Sequence, residues 1–238
     1  MILLLRDNMS INITNYINTT PEQIELKQHN IYLGISISNH YFSKKNVAEY
    51  LTWAIQNSRT TPLILIADEL QAYNYQAFYD MNYNKAISTA KNIGDEIHRM
   101  SEKVIRTLNQ KYGYTKQIPI VHICDIATDI HKEKQEILEN EFRDNIPFKS
   151  EITKIITANL KTKILTPHQQ TMLSKYILAE IPLQNNMQYN GIQYNLYPYP
   201  GTTTGILMND LAQRRIFPEI ANKIDMRIDN AFVEAYIN

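Results

Sequence analysis

Ile31-Tyr32-Leu33-Gly34-Ile35-Ser36-Ile37-Ser38-Asn39-His40-Tyr41-Phe42-Ser43 opens as an apolar run and closes in a polar corner. The apolar half suits a strand buried on both faces. At Ser43 a helical pattern begins, with Val47, Tyr50, Leu51, Ala54 and Ile55 on one face and Ser43 as N-cap. Ser36 therefore falls at the end of a buried strand of a strand–helix unit. Open α/β sheets bind ligands outside the carboxyl ends of their strands, so a serine there is well placed for chemistry. The alternative is that Ser36 only hydrogen-bonds the turn, as strand-end serines often do.

The same alternation continues downstream. Pro62 introduces Leu63-Ile64-Leu65-Ile66-Ala67, a second apolar strand ending at Asp68. A tyrosine-rich connection, 73–83, leads to a long helix over about 84–112, capped by Gly113. Pro119 to Cys124 reads as a third buried strand with Asp125 at its end. Helices are predicted over about 130–144 and 150–162. Another starts at Thr166, where Pro167 and Gln169 complete a capping box, and closes near Glu180 at Pro182. Ile192 to Leu196 alternates like a strand, and a further helix spans 203–215. Residues 1–28 show no clear period and read as a loosely ordered lead-in. The pattern implies a Rossmann-like parallel sheet with helices on both faces, within a single domain over 1–238.

Composition narrows the function. A lone cysteine, Cys124, excludes an internal disulfide framework and fits a reducing cytosol, so a cytoplasmic protein is expected. Met1 to Leu5 is too short for a signal-peptide core, and no run is long enough to span a membrane. Net charge is zero, so only a local patch could hold a nucleic acid. With six glycines and neither Gly-x-Gly-x-x-Gly nor a Walker sequence, a nucleotide cradle is disfavoured. Ser36 does not sit in Gly-x-Ser-x-Gly, which disfavours an esterase elbow. The histidines show no His-x-x-x-His spacing, so no metal site is expected.

Three other stretches carry possible chemistry. Tyr176 and Glu180 are four residues apart, on one helical face. Glu180 is read in the last turn, where the helix dipole disfavours a carboxylate, and so it asks for a cationic partner such as a substrate ammonium. The bland reading is an exposed glutamate beside a core tyrosine. Leu196-Tyr197-Pro198-Tyr199-Pro200-Gly201 is a strand end with a proline-enforced turn, which would point a tyrosine into the crevice. The long helix carries seven cations against three anions between residues 85 and 116. Lys85, Lys103 and Arg106 fit one broad polar face, with Arg99 nearby. The same charges would also suit a merely solvated face.

Together these pieces resemble the cyclodipeptide synthase family, whose members make a cyclic dipeptide (a diketopiperazine) from two aminoacyl-tRNAs. The family's Gly-x-Ser-x-x-x-x-Tyr-Phe stretch is matched by Gly34, Ser36, Tyr41 and Phe42. Its Tyr-x-x-x-Glu-φ-Pro motif, with φ apolar, is matched by Tyr176, Glu180, Ile181 and Pro182. The resemblance spans about residues 28–215. It implies a fold similar to the catalytic domain of tyrosyl- and tryptophanyl-tRNA synthetases, without their ATP signatures and without a cofactor.

The resemblance also implies residue roles. Ser36 would form an aminoacyl-enzyme in ping-pong catalysis, and Tyr176 and Glu180 would hold the ammonium. The family's later tyrosine matches Tyr197 or Tyr199, with Tyr197 preferred as a proton relay. Gly34 and Asn39 would line the substrate site. Lys85, Lys91, Arg99, Lys103 and Arg106 would hold tRNA phosphates. A monomer with no membrane or DNA partner is expected. Met172-Leu173-Ser174-Lys175 is only a superficial echo of a synthetase loop. The rival reading is a non-catalytic, synthetase-like tRNA-binding module.

Overall fold

The computed structural model describes residues 11–160, 164–201 and 203–237. Met1 to Leu5 and the predicted helix end at 161–162 lie outside the described residues.

Residues 11–28 are not a loose lead-in, and residues 1–10 lie outside the described residues. Ile11–Ile17 forms strand β1 and Pro21–Glu25 forms helix α1, started by a Thr20–Gln23 capping box. The opening stretch becomes β2 (Tyr32–Ser36) and α2 (Lys44–Asn57), whose first turn Ser43 caps by accepting from the Asn46 amide. The second apolar run is β3 (Leu63–Ala67). The tyrosine-rich connection is not a loop but helix α3 (Gln71–Tyr79). It leads into the long helix α4 (Tyr83–Tyr112), which ends on Gly113 in a left-handed conformation.

The third strand, β4, is shorter than predicted, covering Ile120–His122. Ile123 and Cys124 already belong to a short helix, α5 (Ile123–Ile126), because the Asp125 carboxylate turns back to accept from the His122 amide. Then come α6 (Asp129–Asp144), α7 (Ile146–Leu160) and α8 (Pro167–Asn185), the last with the Thr166–Gln169 capping box in place. Gln188–Tyr189 and Ile192–Gln193 form a small hairpin, β5–β6. The chain continues through β7 (Leu196–Tyr199), α9 (Thr203–Ala212), α10 (Pro218–Lys223) and β8 (Ala231–Ile237).

β2, β3 and β4 pair in parallel in that order, with Ser36 opposite Ala67. On the other side β7 and β8 pair in parallel, and β1 closes that edge antiparallel to β8. A single parallel bridge between Ile31 and Leu196 joins the two halves side by side. From that junction the strand order runs outward both ways, β2-β3-β4 one way and β7-β8 the other. This reversal is the topological switch point at which open α/β sheets form a crevice.

Alternation along the strands divides the core as expected. Leu33, Ile35, Ile64 and Ile66 pack with Val47, Leu51 and Ala54 of α2 and with Ala86, Ala90 and Val104 of α4. Tyr32, Leu63, Leu65 and Val121 face the other way, against Ala179 and Leu183 of α8. Phe232 of β8 meets Ile152, Ile177 and Leu207 on that side, from α7, α8 and α9. Helices thus cover both faces.

A polar chain fixes α4 against the ends of β3 and β4. The buried Asp68 carboxylate accepts from His122 Nδ1 at 2.7 Å, and His122 Nε2 meets His98 Nδ1 of α4 at 3.0 Å. A Cβ at position 94 would lie 2.9 Å from Asp68, so only glycine lets the helix come this close.

Candidate functional site

Ser36 ends β2 beside the β2–β7 junction. Its neighbours follow from the turn after it. The Asn39 amide donates to the Ser36 carbonyl at 3.1 Å, which folds the chain back. Asn39 Oδ1 accepts from the Tyr41 amide at 3.0 Å, so its Nδ2 is left to donate to the Tyr199 hydroxyl at 3.2 Å. Tyr41 and Phe42 serve the frame. The Tyr41 hydroxyl accepts from the Ile237 amide of β8, and buried Phe42 packs its ring 5.5 Å from that of Tyr199.

A cavity of about 400 Å³ opens here, lined among others by Asn39, Tyr176, Glu180, Gln184, Tyr197 and Tyr199. Ser36 interacts with the side chains of Tyr176 and Tyr199, two of the lining residues. Tyr197 is held differently. Its ring lies flat on Tyr32, and its hydroxyl donates to the Gly34 carbonyl at 3.3 Å. Gly34 lies directly beneath that ring.

Helix α8 supplies the opposite wall. It does not stop at Pro182 but continues through it to Asn185. Pro182 lacks an amide hydrogen, so one helical bond is forfeited there without ending the helix. Glu180 is therefore five residues from the end, outside the last turn, and the dipole argument for its cost does not hold. Burial supplies the cost instead. It raises the Glu180 carboxyl to about 7, opposed by hydrogen bonds from Thr204 and Gln184. Burial likewise lifts Tyr176, Tyr197 and Tyr32 well above the usual phenol range, and it raises Tyr199. All four are neutral hydrogen-bond donors at neutral pH. Among the described residues, no cation forms an ion pair with Glu180.

The predicted residues thus converge. Ser36, Asn39, Tyr176, Glu180, Tyr197 and Tyr199 meet at one crevice, with a nucleophile candidate, a near-neutral carboxyl and several phenols. The chemistry they suit is acyl transfer with proton movement. A scan of family models then matches residues 14–200 to cyclodipeptide synthase. The chain belongs to the cyclodipeptide synthase family. It is accordingly a tRNA-dependent aminoacyltransferase, which sets aside the non-catalytic reading. No curated protein sequence matches it.

Solved cyclodipeptide synthases share the fold. The Bacillus thermoamylovorans enzyme is 17% identical, with a TM-score of 0.72 over 99% of each chain. A Mycobacterium tuberculosis protein, whose structure relates cyclodipeptide synthetases to type I tRNA synthetases, is 16% identical. It has a TM-score of 0.70 over 95% of this chain and 96% of that one. The synthase of Candidatus Glomeribacter gigasporarum, solved bound to Phe-tRNAPhe, is 16% identical with a TM-score of 0.56 over 88% of each chain.

Away from the crevice, Lys85, Lys91, Arg99, Lys103 and Arg106 are all exposed along α4. They are not equivalent. Lys91 pairs with Glu69 at 2.9 Å, whereas Arg106 borders a separate cavity of about 620 Å³ with His98 and Glu102. Among the described residues no helix is long and apolar enough to cross a membrane, and no group of His, Cys, Asp or Glu is placed to hold a metal ion.

The two residues that hydrogen-bond Glu180, Gln184 and Thr204, escape the sequence reading. Gln184 does have a signal. It is the third member of the series 176, 180, 184 on one helical face. Closing the helix at Pro182 hides it. Thr204 reaches the crevice from α9, through tertiary packing that no local pattern reports.

Proposed function

We propose that the crevice joins two aminoacyl groups, delivered as tRNA esters, into a cyclic dipeptide through an aminoacyl-Ser36 intermediate. The observation that carries this reading is Ser36 at the switch point, interacting with the side chains of Tyr176 and Tyr199, which line one cavity with the buried Glu180 carboxyl. Ser36 Oγ bonds to the carbonyl carbon of the first ester as the bond to the ribose oxygen breaks. The serine proton passes through Tyr199 to that leaving oxygen. Tyr199 takes the relay role in place of Tyr197, because the Tyr197 hydroxyl already donates to the Gly34 carbonyl.

Tyr176 and Glu180 then hold the ammonium of the bound residue. Its charge favours the ionised form of a carboxyl that burial raises to about 7. To attack the second ester, the amine must lose a proton, and the ionised Glu180 beside it is placed to receive it. The new amide forms as the second tRNA leaves. The amino group of the second residue then attacks the Ser36 ester, closes the ring and frees the serine.

The exposed cations of α4 suit phosphate contacts along an RNA stem, without base readout. The tRNA supply implies a cytoplasmic setting, and nothing in the mechanism requires more than a monomer. Incubation with aminoacyl-tRNA followed by intact-protein mass measurement tests the scheme. Wild type should gain the mass of one aminoacyl residue, and Ser36→Ala should gain none and make no cyclic dipeptide. Product formation by Ser36→Ala at the wild-type rate would remove Ser36 as the nucleophile.

A further inference from the structure

Both oxygens of the Glu180 carboxyl are engaged by uncharged donors. Gln184 Nε2 donates to Oε1 at 2.9 Å, from one turn further along α8. Thr204 Oγ1 donates to Oε2 at 3.4 Å, from α9. Gln184 is itself 8% exposed, and its own carbonyl oxygen is buried without a hydrogen-bond partner among the described residues. An unpaired buried acceptor is costly to maintain. The amide accepts that cost while directing its NH₂ at Glu180.

We infer that Gln184 and Thr204 are positioning residues that hold the Glu180 carboxyl at the cavity wall and favour its ionised form. The inference deepens the proposed function and rests on its reading of Glu180 as the ammonium holder. A carboxylate has two acceptor oxygens, whereas a neutral carboxyl uses one of them as a donor. Two donors, one on each oxygen, therefore favour the anion.

The other titratable groups facing Glu180 do not supply charge. They are Tyr32 of β2, Tyr176 of α8, and Tyr197 and Tyr199 of β7, all neutral phenols. Burial acts in the opposite direction on Glu180. The clamp is thus what keeps a usable fraction of the carboxylate ionised before an ammonium arrives. Without it, substrate would meet a protonated acid that cannot form the charge-assisted contact.

The test is a titration of substrate-free protein. The carbonyl stretch of protonated Glu180, assigned by difference against Glu180→Gln, is followed by infrared spectroscopy as pH is varied. Gln184→Leu and Thr204→Val should each move its midpoint upward, by about one pH unit for Gln184→Leu. The acid limb of cyclic dipeptide formation should move with it. That costs Gln184→Leu about tenfold in rate below the midpoint, with recovery at higher pH.

A loss of activity equal at every pH, with an unmoved carbonyl midpoint, would overturn the clamp and leave these residues as packing. Should Gln184→Leu fail to fold, Thr204→Val carries the same two readouts. Failure of the underlying reading looks different. Glu180→Gln would then be fully active, whatever the clamp variants do.

Discussion

Tyr197 lies flat against Tyr32, with ring centroids 4.9 Å apart and planes within 8° of parallel, and its hydroxyl reaches across Gly34. A strand residue with no side chain is what makes this pavement possible. A Cβ at position 34 would stand 2.8 Å from the Tyr197 hydroxyl oxygen and 2.9 Å from its ring. Gly34→Ala should therefore lift Tyr197 off the sheet. Overpacking of this kind costs about 1–3 kcal/mol. Thermal unfolding should show the loss, and product formation should fall because the same ring walls the cavity. A variant of wild-type stability would mean that the ring yields freely.

The two tyrosines of β7 should separate in their effects. Tyr199 accepts from Asn39 and touches Ser36, whereas Tyr197 donates to a backbone carbonyl. Tyr199→Phe should slow formation of the aminoacyl-protein, since it removes the hydroxyl beside the nucleophile. Tyr197→Phe should mainly cost stability, about 0.5–1.5 kcal/mol for one neutral hydrogen bond. Single-turnover acylation set beside thermal unfolding distinguishes them. The reverse outcome would return the relay to Tyr197.

Much of this architecture is legible in the chain itself. β2 and β3 are continuous apolar runs, and α4 carries a 3.6-residue apolar stripe along its length, so both kinds of element announce themselves. β1 does not. Ile11-Asn12-Ile13-Thr14-Asn15-Tyr16-Ile17 is a half-exposed edge strand, and its partner is β8 at the far end of the chain. Helix α3 is equally quiet, because its tyrosines point to several sides rather than to one. Pro182 misleads in the opposite sense. A proline usually closes a helix, and here the packing of Leu183 and Ile181 in the core carries the helix past it. The Tyr176–Glu180 pair is visible locally, while the donors that hold Glu180 are not.

The cations of α4 should not contribute equally to tRNA binding. Lys91 is tied to Glu69, so a phosphate must compete with a carboxylate for it. Lys85, Lys103 and Arg106 are exposed on the same helix. Replacing these three with alanine should weaken binding and flatten its salt dependence, by about one unit of log–log slope per lost phosphate contact. Lys91→Ala alone should change the slope less than any one of them. Titration of binding against salt concentration measures both. An unchanged slope in the triple variant would move the RNA surface away from α4.

Glu180 should leave a mark on stability as well as on catalysis. Its carboxyl stands at about 7 in the folded chain, against a reference value of 4.5. The folded state therefore holds the proton more tightly than the unfolded state. Stability is greatest below the unfolded value and is lost as pH rises through the folded one. A displacement from 4.5 to about 7 corresponds to up to about 3 kcal/mol, withdrawn between roughly pH 4.5 and pH 8. Glu180→Gln removes the titration and keeps the size. The variant should gain stability over wild type at pH 8 and lose most of that gain at pH 5. Chemical unfolding at the two pH values reads the difference directly. An equal gap at both would mean that Glu180 is not held against its charge by burial. An ammonium-bearing substrate should then confer no special stability at pH 8, where its charge would otherwise offset the cost.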